Sequence, residues 1–106
     1  MKRYMLCKIK PEKTQVWLDW CNEINSKHKE EGLISIIEEN LILEKCTILN
    51  TQDGDYVIYE HETPGDTAKK PANMEKEMNV LHFQKFHECL EVIKAKNIPG
   101  YIFEVK

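Results

Sequence analysis

From Tyr4 to Ile9 the chain alternates, with Tyr4, Leu6 and Lys8 on one side and Met5, Cys7 and Ile9 on the other, the two-residue period of a β-strand. Pro11 follows at a position suited to a first helical turn, and Val16, Trp17, Trp20, Cys21 and Ile24 then recur at helical spacing. After Gly32 the apolar residues Leu33, Ile36 and Ile37 fall on another side of the helical wheel, so the pattern predicts a break or change of register between about Lys27 and Gly32. Asn40 suits the left-handed residue that ends the second piece. Leu41–Thr51 is apolar and β-branched, and Gln52-Asp53-Gly54-Asp55 leads into Tyr56–His61. Asp-Gly between two such runs predicts an antiparallel hairpin. Thr63–Ala72, rich in Pro, Gly and Lys, reads as a mobile surface loop of the kind that covers sites. Asn73 can cap a further helix with the stripe Met78, Leu81, Phe86, Cys89, Leu90 and Ile93, running to about Lys96 before Asn97 and Pro99-Gly100 stop it. Tyr101–Val105 is then expected as the fourth strand.

The order β-α-β-β-α-β is that of a ferredoxin-like α+β fold, a four-stranded antiparallel sheet with its helices on one face. Apolar residues alternate onto both faces of every expected strand, and the helices can cover only one of them. The uncovered face calls for a second copy of the chain, which predicts a homodimer built as a dimeric α+β barrel.

The 106 residues are 42% hydrophobic and 31% charged, which describes one domain spanning 1–106 with a modest core. The net charge of -3 gives no basic footprint for nucleic acid, and no apolar run is long enough to span a membrane. The N-terminal residues lack the apolar stretch of a secretion signal, so the expected location is cytoplasmic. Cys7, Cys21, Cys46 and Cys89 form no C-x-x-C pair and no zinc spacing, and are expected to be small buried thiols. No two histidines stand i, i+4 with a carboxylate, and phosphate-binding glycine loops and a nucleophile elbow are absent. No metal site or cofactor is therefore expected.

The stretch Glu30-Glu31-Gly32-Leu33-Ile34-Ser35-Ile36-Ile37-Glu38-Glu39-Asn40-Leu41-Ile42-Leu43-Glu44, the hairpin Asp53-Gly54-Asp55-Tyr56-Val57-Ile58-Tyr59, and His82 on the last helix together resemble a bacterial family of uncharacterised proteins in the dimeric α+β-barrel superfamily. That family typically carries an arginine just before the paired glutamates and a glycine where this chain has Asn40. Here the nearby cations are Lys27, His28 and Lys29, without the planar two-pronged geometry of arginine. The resemblance implies the fold and the dimer. The wider superfamily spans cofactor-independent monooxygenases, haem-degrading enzymes, and decarboxylases or lyases, so it selects no reaction.

Several polar residues fall among apolar ones. His82 lies mid-stripe between Met78 and Phe86, with Asn79 flanking the same face, and both need partners or a pocket. Projected from the Trp17/Trp20/Ile24 stripe, Glu31 falls inward if the helix is unbroken, with Glu30 nearer its edge; if the helix breaks, Glu31 is solvated. Glu44 is a charge in mid-strand, expected to pair across the sheet or to face a pocket. Tyr59 shares a strand face with His61, and Tyr4 and Tyr101 could stand near it. Trp17 and Trp20 are core residues or an aromatic wall. His28 and His87 are expected at the surface.

The expected site is accordingly a small-molecule pocket between helices and sheet, with His82 and Glu31 as acid/base candidates and Asn79, Tyr59, Glu30, Glu44 and Trp20 as ligand contacts. A small cofactor-independent enzyme and a non-catalytic homodimeric binding module are the two readings it separates. A haem-binding protein using His82 as axial ligand is a weaker third.

Overall fold

The computed structural model describes all residues from Met1 to Lys106. Its elements in chain order are β1 (Lys2–Ile9), α1 (Thr14–Lys27), α2 (Lys29–Glu38), β2 (Leu43–Thr51), β3 (Gly54–Glu62), α3 (Glu77–Cys89) and β4 (Leu90–Ile93). The four strands form one antiparallel sheet in the order β2-β3-β1-β4. The fold is thus α+β, with a β2–β3 hairpin turning at Gly54, whose φ of 125° is open to glycine and strained for other residues. No helix is long and apolar enough to cross a membrane.

One face of the sheet carries the core. Cys7 and Ile9 of β1, Val57 and Tyr59 of β3, and Leu90 of β4 are buried against Trp17 and Trp20 of α1 and Cys89 of α3. Each tryptophan side chain withdraws roughly 150–250 Å² from water, an upper bound of about 4–6 kcal/mol of transfer free energy apiece. Trp17 is fully buried and meets Tyr59 and Phe86 edge-on, at centroid distances of 6.4 Å each. Its indole N–H is buried without a hydrogen-bond partner. All four cysteines are free, Cys7 and Cys89 buried and Cys21 and Cys46 half-buried. Burial, with Cys46 nearby, pushes the Cys7 thiol up to about 11.

The helix break falls where the change of wheel position predicts it, at His28, whose φ of -123° and ψ of 19° part α1 from α2. Asn40 adopts the expected left-handed conformation at φ 61°. Other boundaries differ. Pro11 sits in a turn before α1, which starts only at Thr14, after the positive-φ residue Glu12. Asn73 accepts at its side chain from the Glu75 N–H and organises a turn that precedes α3. The segment after β3 is pinned: the amino terminus donates to the carbonyls of Thr63 and Gly65, Asn40 donates to Thr67 and Ala68, and the Lys70 N–H donates to the Glu39 carbonyl.

The largest correction concerns the C-terminal third. The last helix ends at Cys89, not near Lys96, and the fourth strand is Leu90–Ile93, paired with Leu6–Ile9 of β1. Tyr101–Val105 forms no strand here. Leu90 and Val92 oppose Ile9 and Cys7 in register on the helix side of the sheet, Leu90 buried and Val92 exposed, an alternation that competes with the helical reading of the same residues.

Candidate functional site

A cavity of about 260 Å³ opens between α2, α3 and the start of β2. Three consecutive turns of α3 place Met78, Asn79, His82 and Phe86 on one side of it, and α2 supplies Gly32, Ser35 and Ile36, with Glu39 just past its end, on the other. Glu44 enters from β2, and Ala72 and Met74 close the rim from the segment before α3. The cavity lies just below the roughly 300–1,000 Å³ typical of pockets for drug-sized ligands, and half of its lining residues are hydrophobic.

His82 is the central polar group. Its Nδ1 accepts a hydrogen bond from the Trp20 indole Nε1–H at 2.8 Å. Indole N–H is only a donor, so this bond fixes the tautomer: the neutral ring carries its own proton on Nε2. Burial holds the pKa of His82 below its ordinary 6.5, outweighing the opposite pull of Glu44 and Glu39. His82 is thus a neutral imidazole whose free polar group is an N–H donor.

Glu44 is about a third exposed, and its Oε1 lies 2.9 Å from His61 Nε2. Partial burial pushes its pKa up, but the hydrogen bond and charge of His61, with Lys69, outweigh that and hold the carboxyl below its ordinary value. It is a carboxylate at neutral pH. Deeper in α2, Ser35 Oγ lies 2.9 Å from Glu39 Oε2 and 3.0 Å from Asn79 Oδ1, with one proton to offer the two. Lys69 completes the pairing of Glu39 at 2.9 Å, and Asn79 Nδ2 donates to the Asn73 carbonyl at 3.0 Å.

Of the residues singled out in the sequence, His82, Asn79 and Glu44 line this cavity together. Trp20 is buried beneath it and orients His82. Tyr59 is buried in the core between Trp17 and Phe86, away from the cavity lining. Tyr4 lies on the opposite sheet face, its hydroxyl on Glu60, and Tyr101 stands in the exposed tail, so neither joins Tyr59. His87 lines the cavity rim, while His28 is tucked half-buried against Trp20.

Glu31 and Glu30 do not belong to the site. Both are exposed, and Glu31, 56% exposed, pairs with His28 Nδ1 at 3.0 Å. The break at His28 rotates α2 away from the α1 stripe, so the inward projection of Glu31 does not carry through. The buried carboxylate is Glu39, just past the end of α2 and eight residues further on. Ser35 and Glu39 were not evident in the sequence because the apolar side of α2 is inverted: Leu33 and Ile37 face solvent while Ser35 and Glu39 are buried. The spacing Gly32, Ser35, Ile36, Glu39 is the signal that a wheel drawn afresh from His28 would have found.

No group of three or more histidine, cysteine or acidic side chains is placed to hold a metal ion. His82 does not fit an axial haem ligand either. Ligation needs a lone pair on Nε2, which would move the proton to Nδ1, directly against the Trp20 N–H. Comparison with models of known protein families, with curated proteins and with solved structures found no match to this chain.

Proposed function

We propose that the chain is a small-molecule-binding protein, and that its cavity takes a compact, largely apolar ligand bearing one hydrogen-bond acceptor. The observation that carries this is the Nε2–H of His82, a donor without a protein partner on a residue that lines a cavity half of whose lining residues are hydrophobic. A ligand carbonyl or ether oxygen satisfies it. The volume limits the ligand to less than drug size.

The reading includes a ferredoxin-like arrangement and a homodimer of the dimeric α+β-barrel kind, as the resemblance in the sequence implies. The strand order β2-β3-β1-β4 is compatible with it. So is the sheet face turned away from the helices, where Leu6, Leu43, Ile58 and Ile93 stay half-buried and Leu49 exposed with no element of this chain above them. Four free thiols suit a reducing, cytoplasmic setting.

A second reading, a cofactor-independent enzyme, is favoured by Glu44 specifically. An ionised carboxylate lines the same cavity as a neutral histidine donor. In that pairing Glu44 removes a proton from carbon while His82 Nε2–H steadies the adjoining carbonyl oxygen; His82 itself cannot be the base, because its only lone pair is held by Trp20.

The test uses two probes of similar shape, acetophenone with an acceptor and ethylbenzene without one, followed by NMR of the methionine methyls. Acetophenone is expected to shift the Met74 and Met78 methyls and to bind about 2–10-fold tighter than ethylbenzene, the worth of one hydrogen bond. His82→Phe should erase that preference. If neither probe moves the Met74 or Met78 methyls, the cavity is not a binding site and the reading fails.

A further inference from the structure

The most solvent-exposed apolar residues of the molecule are not on the domain but in its tail. Residues 94–106 form no regular structure, and within them Ile98 is 81% exposed, Tyr101 and Ile102 84%, Phe103 92% and Val105 fully exposed. Tyr101-Ile102-Phe103-Glu104-Val105 is composed of residues favoured in strands, and it alternates, with Tyr101, Phe103 and Val105 on one side and Ile102 and Glu104 on the other. Such a segment in water is an unpaired strand.

The sheet has a vacancy of matching size. β1 pairs with β3 from Lys2 to Lys8, but with β4 only from Leu6 to Ile9, so the β4 side of Lys2–Met5 has no neighbouring strand. Arg3, on that stretch, has no acidic partner. Arg3 and Met5 share the helix-side parity of β1, and Lys2 and Tyr4 the outer parity. A strand added here with Tyr101, Phe103 and Val105 on the outer face extends the apolar outer face of the sheet. The same placement puts Glu104 on the side of Arg3 and Ile102 on the side of Met5.

From these observations we infer that Tyr101–Val105 is an exchanged arm, pairing as a strand with the free edge of β1, Lys2–Met5, in a second copy of this chain. The inference rests on the homodimer proposed above and names its interface. The chain leaves β4 at Ile93, opposite Leu6 and directly beside the vacant edge. To fill its own vacancy it would need no linker, yet the residues that would enter first, Lys94-Ala95-Lys96-Asn97, stay off the sheet and are exposed. Lys94–Gly100 instead provides a tether of up to about 25 Å, a length that serves to cross to a neighbour. Tyr101 and Phe103 each bring roughly 150–250 Å² to bury. Counted with Ile102, Val105 and the outer sheet face, the arm approaches the roughly 800 Å² per partner of a standard interface.

The experiment compares the full chain with a chain ending at Asn97 by sedimentation equilibrium, together with Phe103→Ala. The tail makes no part of the core, so the truncated chain should keep the helical circular dichroism signal of the domain and a cooperative unfolding transition. The full chain is expected to be a dimer, with Phe103→Ala weakening it about 30-fold or more, and truncation more still. A double variant, Arg3→Cys with Glu104→Cys, should oxidise to a covalent dimer on a non-reducing gel. A monomeric full chain overturns the arm and the dimer together. A dimer unaffected by truncation overturns the arm and leaves the dimer standing. A cross-linked monomer shows the arm folding onto its own β1 and overturns the exchange.

Discussion

The tautomer of His82 makes a measurable claim on stability. Folding places the ring where burial disfavours its charged form and where its one lone pair is engaged by Trp20 at 2.8 Å. The unfolded chain takes up a proton near the ordinary value of 6.5, while the native state does not. As pH falls through that value the unfolded state therefore binds more protons than the native state, and stability falls with it. The contribution is negligible above about pH 7.5 and approaches a ceiling of about 1.4 kcal/mol by about pH 5.5, since each pH unit of mismatch is worth about 1.4 kcal/mol. The pull of Glu44 and Glu39 toward the charged ring reduces this, so the expected loss is about 1 kcal/mol. Urea unfolding at the two pH values measures it. The chain holds three further histidines, so the informative quantity is the difference between wild type and His82→Gln, whose amide oxygen can still accept from Trp20. The variant should lose about 1 kcal/mol less than wild type between the two pH values. Equal losses, or a His82 NMR titration centred at 6.5 or above, would refute the buried neutral ring.

Other substitutions test neighbouring parts of the argument. Trp20→Phe replaces the buried indole by a smaller ring without the N–H, and should cost about 2–4 kcal/mol from the lost bond and the space left behind, while freeing His82 to change tautomer, visible in the nitrogen shifts of its ring. Asn79→Ala strips partners from both Ser35 and the Asn73 carbonyl, and denaturant unfolding should record a loss of about 1–3 kcal/mol. Gly32→Ala, in the interior of α2 where an added Cβ meets nothing within 4 Å, should raise stability by about 0.5–1 kcal/mol and slightly reduce the room in the cavity.

The sheet and its hairpin were legible because alternation and an Asp-Gly turn are local signals that packing reinforced. The break near His28 was legible from a shift in wheel position alone. The fourth strand was not, since Leu90, Val92 and Ile93 fit both a helical stripe and a strand, and only pairing with Leu6–Ile9 decides between them. Tyr101–Val105 has the stronger strand composition, but composition says nothing of which chain it pairs with. In the site, His82 and Asn79 stood out as polar groups in an apolar stripe, and they do meet in one cavity. Glu31 is solvated, as expected where the helix breaks, so its candidacy rested on the unbroken alternative, and the tautomer of His82 depended on Trp20, 62 residues away in the chain.

The break between α1 and α2 does more than correct a register. α1 spends its apolar face on the sheet, with Trp17 and Trp20 buried there. A continuous helix would have kept that register and turned Glu31 inward. With the break, α2 presents Gly32, Ser35, Ile36 and Glu39 to α3 instead, a face too polar and too small to close against it. The cavity is the gap left by that mismatch, and Ser35, Glu39, Asn79 and Lys69 satisfy one another around its polar end. Their mutual pairing leaves His82 Nε2–H and the Glu44 carboxylate as groups with hydrogen-bonding capacity to spare, which is why the proposed recognition rests on those two residues.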